Sequence, residues 1–159
     1  TFMASHRHTI GRLGPAGVSK FLESTPPISV APNWHEQKKA YIREGFNASG
    51  AREKVELYDR YIHKMEDALA KTKWLASDEF TFADIAMAPY VMRLDMLSMQ
   101  GMWEGNRLPR VEGWLDNIKA RPTFKPTFLD WMPEQLTEDL KTNGAKSWPE
   151  VAKFLDIAA

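Results

Sequence analysis

One fully marked helix start constrains this sequence more than any other feature. Phe80 to Met99 reads FTFADIAMAPYVMRLDMLSM. Thr81 sits where an N-cap belongs and Asp84 follows three residues on. The Thr81 hydroxyl can accept from the N–H of residue 84 while the Asp84 carboxylate reaches back to the N–H of residue 81, a capping box with Asp in place of Glu. Phe80 and Ile85 have the spacing of a hydrophobic staple, and the charge of Asp84 suits the positive end of the helix dipole. Beyond the cap run two apolar stripes at helical spacing. Ile85, Ala88, Pro89, Met92, Met96 and Met99 make one; Met87, Val91 and Leu94 make the other. They predict a central helix covered on several sides, with an irregularity at Pro89. In that setting Asp84 is a partly buried carboxylate with a structural task, a reading favoured over a catalytic one.

The other segments read as helices too. Phe2 to Leu13 is helical, Gly14-Pro15 interrupts it, and Ala16 to Glu23 resumes it. Ser24 to Asn33, STPPISVAPN, is a proline-rich connector. His35 to Arg43 is a short helix that Gly45 ends. Ser49 is a cap candidate for a helix to about Lys71, on which Val55, Tyr58, Ile62, Met65 and Leu69 keep three-and-four spacing. Lys73 to Glu79 forms a turn that plugs Trp74 and Leu75 into the core. Pro109 opens a helix carrying Val111, Trp114, Leu115 and Ile118, which stops before Arg121-Pro122. Thr123 to Leu129 is a further short helix. Glu134 to Lys141 is another, stopped by Gly144, and Ser147 caps a last one. Only Ile28 to Val30 could be extended, so the fold class is all-α.

With 159 residues the chain suits one domain with a sizeable core. Its 21 basic and 21 acidic residues balance, which argues against a general nucleic-acid or membrane-surface role. With no cysteine there is no disulfide, thiolate metal site or cysteine nucleophile in this sequence. That fits a reducing compartment, and cytoplasmic localisation is the expectation. TFMASHRHTIGRL lacks the apolar stretch of a signal peptide, and no apolar run is long enough to cross a bilayer.

Residues 74 to 124 resemble the C-terminal helical domain of soluble glutathione S-transferases. WLASDEFTFADIAMAPYVMRL and LPRVEGWLDNIKARPTF carry the likeness. They do so through Trp74, Leu75, Thr81, Ala83, Asp84 and Ile85, then Pro109, Trp114, Ala120, Arg121 and Pro122. Looser matches in HTIGRLG, EQKKAYIREGF and the tail from Asp130 are similar to bacterial members of the beta-etherase-like group. The resemblance implies a helical bundle around the central helix at about 81–99. It also implies one helical domain over residues 1–159, with 123–159 as a C-terminal extension. Family members carry an N-terminal thioredoxin-like domain that holds glutathione and the thiol-activating residue, and nothing in this sequence supplies it. No catalytic residue carries over. The start directly in a helix favours a piece of a longer protein over a stand-alone domain.

The resemblance further implies that a small hydrophobic electrophile sits between the first helix and the central helix. Met3, His6, Arg7 and Ile10 would form one wall and Tyr90, Arg93, Leu94 and Leu97 the other. Taken singly, Met3, Ile10 and Leu94 read as ordinary core. His6 and His8 stand two apart and point to different sides of a helix, so they do not read as metal ligands. Arg7, Arg12 and Lys20 give the first helix a positive bias, read as a solvated face. No carboxylate pair and no G-x-S-x-G occurs. The expected protein is a glutathione-dependent transferase or etherase that pairs as a homodimer, inactive as this piece alone. The alternative is a non-enzymatic helical module that binds a partner protein or a hydrophobic ligand.

Overall fold

The computed structural model describes residues 2–24 and 33–158. The proline-rich connector, with the Ile28 to Val30 stretch, falls almost wholly outside them. The regular elements among the described residues are all helices. A π-helical turn (Phe2–His6) runs into α1 (Arg7–Gly11), followed by α2 (Gly14–Glu23), α3 (Trp34–Glu44), α4 (Ala51–Leu69), α5 (Phe82–Met96), α6 (Pro109–Lys119) and α7 (Glu134–Leu155). Helix α4 packs on α6 and α7, α5 packs on the same two, and α7 also meets the first turn. Val55, Ile62 and Met65 of α4 share one core with Ala88, Val91 and Met92 of α5. Val111, Trp114, Leu115 and Ile118 of α6 and Leu140 and Val151 of α7 join them. The last helix is therefore part of the same core as the central one.

The capping box of α5 is formed. Thr81 Oγ1 accepts from the Ala83 N–H at 3.3 Å, and Asp84 Oδ2 accepts from the Thr81 N–H at 2.9 Å. Asp84 does more than cap. It is fully buried, and its other oxygen accepts from the Leu75 N–H at 3.0 Å and the Trp114 indole N–H at 2.9 Å. Burial alone would raise its pKa; the hydrogen bonds outweigh burial and hold it below the usual carboxylate value. Trp74 meets Phe80 edge to face at 5.1 Å, and the Arg121 guanidinium sits 3.6 Å from the Phe80 ring centre. Residues 74 to 121 thus converge on one knot that ties the turn, α5 and α6 together.

Helix α6 has Leu108 at its N-cap and no cap from its own side chains. Glu66 of α4 takes that place, accepting from the Arg110 and Val111 N–H groups at 3.0 and 2.9 Å and from the Arg110 guanidinium at 3.0 Å. An anion at a helix N-terminus satisfies free donors and complements the dipole. Spacing places Glu66 on the apolar side of α4, but only the tertiary fold brings the start of α6 to it.

Several expectations change. Ile85 is 51% exposed and Phe82 86% exposed, so Phe80 rests on Trp74 and the staple to Ile85 is not the contact that fixes it. The buried face of α5 is Asp84, Ala88, Val91 and Met92, and the opposite face is open among the described residues. The helix ends at Met96; Met99 is buried, but from the turn that follows. Gly50, in the left-handed conformation, occupies the N-cap of α4 where Ser49 was expected. Gly144 does not stop a helix, and Ser147 does not start one: α7 is continuous from Glu134 to Leu155. The Leu97 carbonyl oxygen lies 1.9 Å from where a Cβ on residue 144 would stand. The glycine is there to let α7 cross the end of α5. Ser147 bonds back to the Asn143 carbonyl at 2.8 Å, and Pro149 is accommodated within the helix.

The positive face of the first segment is not simply solvated. Arg7 Nε donates to the Ile42 carbonyl at 3.0 Å, and the Arg7 guanidinium fills the space beside Gly45, where φ is +62° and a Cβ would not fit. Arg12 makes a two-pronged pair with Asp139 of α7, whose carboxyl this holds below its usual pKa. Both arginines bind the first segment to the rest of the bundle.

Candidate functional site

A cavity of about 510 Å³ opens between the first turn, α3, α4, α5 and α7. The first turn contributes Met3, Ala4 and His6, and α3 contributes Trp34 and Tyr41. Helix α4 presents Lys54, Val55 and Tyr58 from adjacent turns, as i, i+3 and i+4 spacing requires. Helix α5 and its C-terminal turn add Arg93, Leu94, Leu97, Met99 and Met102. Phe46 and Val151 complete the lining. Volume and lining suit a drug-sized apolar molecule oriented by a few polar groups.

Of the residues expected as walls, Met3, His6, Arg93, Leu94 and Leu97 come together here. Arg7 is committed to the Ile42 carbonyl, and Ile10 lies beyond the cavity on α1. Tyr90 is 54% exposed and borders a separate groove of about 320 Å³ with Leu57, Tyr58, Tyr61 and Met87. The α4 wall was not anticipated, although Lys54 and Tyr58 stand one turn apart on the face next to Val55. The sequence signal is the three-and-four stripe, which carries Val55 and Tyr58.

The polar groups of the cavity have distinct surroundings. His6 is held below its ordinary pKa, by burial first and then by neighbouring positive charges that include Arg93. Tyr58 is pushed up by burial and by Tyr90, with Arg93 acting in the opposite sense. Tyr41 is 6% exposed, and its hydroxyl has no hydrogen-bond partner. Among the described residues no three His, Cys, Asp or Glu side chains gather to hold a metal ion, and no helix is long and apolar enough to cross a membrane.

Comparison with known proteins bears on what this arrangement serves. A 2,5-dichlorohydroquinone reductive dechlorinase of Sphingobium indicum is 37% identical over 59 residues, 36% of this chain and 17% of that protein. Glutathione S-transferase F13 of Arabidopsis thaliana is 32% identical over 81 residues, 51% of this chain and 36% of its own length. Glutathione S-transferase hmp2 of Hypomyces subiculosus is 30% identical over 67 residues, 42% of this chain and 31% of that protein. The chain therefore spans little more than a third of these relatives at most. No solved structure matches it. The family described as the glutathione S-transferase C-terminal domain matches residues 32–117, more than half of the sequence. That stretch contains Asp84 with its hydrogen-bond partners, Glu66 and the α4 and α5 walls of the cavity, and the chain belongs to this glutathione S-transferase C-terminal domain family.

Proposed function

We propose that this chain is the electrophile-binding helical domain of a glutathione-dependent enzyme of the beta-etherase-like bacterial group, working with a thioredoxin-like domain that precedes it. The observation that carries the reading is the apolar cavity between the first turn and α3–α5. Glutathione, held mainly by the neighbouring domain, supplies the nucleophilic thiolate. The present residues fit the other reactant better than the tripeptide. The lining is chiefly apolar, and no strand edge exists among the described residues to pair with a peptide backbone. Leu94, Leu97 and Met99 exclude water from an apolar substrate, while Tyr58 and Arg93 at α4 and α5 orient its polar end. Fixing the electrophile in this way replaces a bimolecular encounter by a positioned one, an effect worth several powers of ten in rate.

The test compares two proteins with a chloronitrobenzene and glutathione. The two-domain protein conjugates them, and Leu94→Trp there raises KM for the chloro-aromatic while leaving KM for glutathione unchanged. This chain alone does not exceed the uncatalysed rate. Turnover by the isolated chain, or a KM change confined to glutathione, contradicts the proposal. A second reading, a helical module that binds a partner protein, draws on the exposed Phe82, Ile85, Tyr61 and Tyr90 along α4 and α5. The same face suits the homodimer expected of the family. The length of the natural gene product separates the two readings.

A further inference from the structure

We infer that the molecule taken by this cavity is an aryl anion, an aromatic carboxylate, sulfonate or phenolate, with its acidic group on Arg93 and Lys54. The inference rests on the cavity being the substrate site proposed above and adds the charge of its occupant. The walls hold two basic side chains, Arg93 and Lys54, and among the described residues no Asp or Glu. Neither Arg93 nor Lys54 forms an ion pair among the described residues. Four carboxylates with little exposure are paired elsewhere: Glu66 with Arg110, Asp59 with Arg107, Asp95 with Lys119 and Asp139 with Arg12.

Arg93 is half-buried at the α5 wall, close enough to Tyr58 and to His6 to bear on the protonation of both. A cation kept partly out of water without a carboxylate is a standing attraction for an anion, and a guanidinium pairs with a planar acid group through two parallel bonds. Trp34, Phe46 and Tyr58 are among the lining residues, an aromatic share that suits a flat ring attached to that group. Lys54 is exposed at the cavity rim, so Arg93 is the charge held against the chiefly apolar lining.

The test uses two fluorescent probes of the same ring system, anionic 8-anilinonaphthalene-1-sulfonate and neutral N-phenyl-1-naphthylamine, titrated into the full chain. The sulfonate binds about tenfold more tightly than its neutral twin, the range of one charge-assisted hydrogen bond. Arg93→Met removes that advantage and leaves the neutral probe unchanged, while Arg93→Lys keeps most of it. Arg60→Met, an exposed charge on α4 outside the cavity, changes neither. Raising the salt concentration weakens only the sulfonate, a readout that needs no variant. Equal affinities, with Arg93→Met silent, overturn the anion proposal while the cavity reading stands, provided Met3→Trp still blocks both probes. If Met3→Trp blocks neither, the probes bind elsewhere, and both the anion proposal and the substrate-site reading fall.

Discussion

Replacing Asp84 by Asn changes one atom and tests the central knot. The carboxylate accepts four hydrogen bonds, from the Leu75, Thr81 and Trp114 N–H groups and the Thr81 hydroxyl, all between 2.9 and 3.0 Å. A carboxamide offers one acceptor oxygen. Its best orientation keeps Leu75 and Trp114 on that oxygen and lets the Thr81 hydroxyl turn to accept from the new NH₂. The Thr81 N–H is then left facing a donor. A buried donor without a partner costs about 1–3 kcal/mol, and two or three bonds to a charge become weaker neutral ones. The expected loss is about 3 kcal/mol. Urea denaturation reads it as a fall in midpoint at constant slope, and for a chain of this size it corresponds to a melting temperature lower by about 6–12 °C. The acid side adds a sign. The folded-state pKa of Asp84 is depressed, so its contribution is present above the unfolded value of about 3.9 and is lost as pH falls through the folded pKa. The gap between wild type and Asp84→Asn therefore holds from pH 7 down to about 5 and narrows as the pH falls below the unfolded value of about 3.9. A loss below about 1 kcal/mol, or a gap that is constant with pH, refutes the account of Asp84 as a charged four-bond acceptor.

Two further substitutions probe the packing. Gly144→Ala drives a methyl group into the Leu97 backbone, which cannot rotate away, and costs at least about 1–3 kcal/mol by overpacking; calorimetry showing no change would mean that α5 and α7 do not cross this closely. Tyr41→Phe removes a buried hydroxyl that has no partner, so stability is unchanged or higher by about 1 kcal/mol. A clear loss in urea would show that the hydroxyl is bonded in solution.

The sequence by itself determined the helical class, most helix positions and the capping role of Asp84. Those depend on local rules: apolar spacing, a cap three residues from its partner, prolines at helix starts. The family resemblance grouped Trp74, Trp114 and Arg121, but the bond of Trp114 to Asp84 and the approach of Arg121 to Trp74 were visible only in the fold. Tertiary structure decided the rest. Gly144 reads as a terminator locally and proves to be a crossing point, because the absence of a side chain serves either purpose and only the neighbouring helix says which. Glu66 lies on the apolar side of α4, four residues after Ile62, and only the fold shows that α6 is what it meets there. Met3, His6, Arg93, Leu94 and Leu97 share a cavity with Lys54 and Tyr58 because five segments distant in the chain converge, whereas Arg7 is drawn to the Ile42 carbonyl. Spacing along a chain fixes which face a residue takes on its own helix; what that face meets depends on how the helices pack.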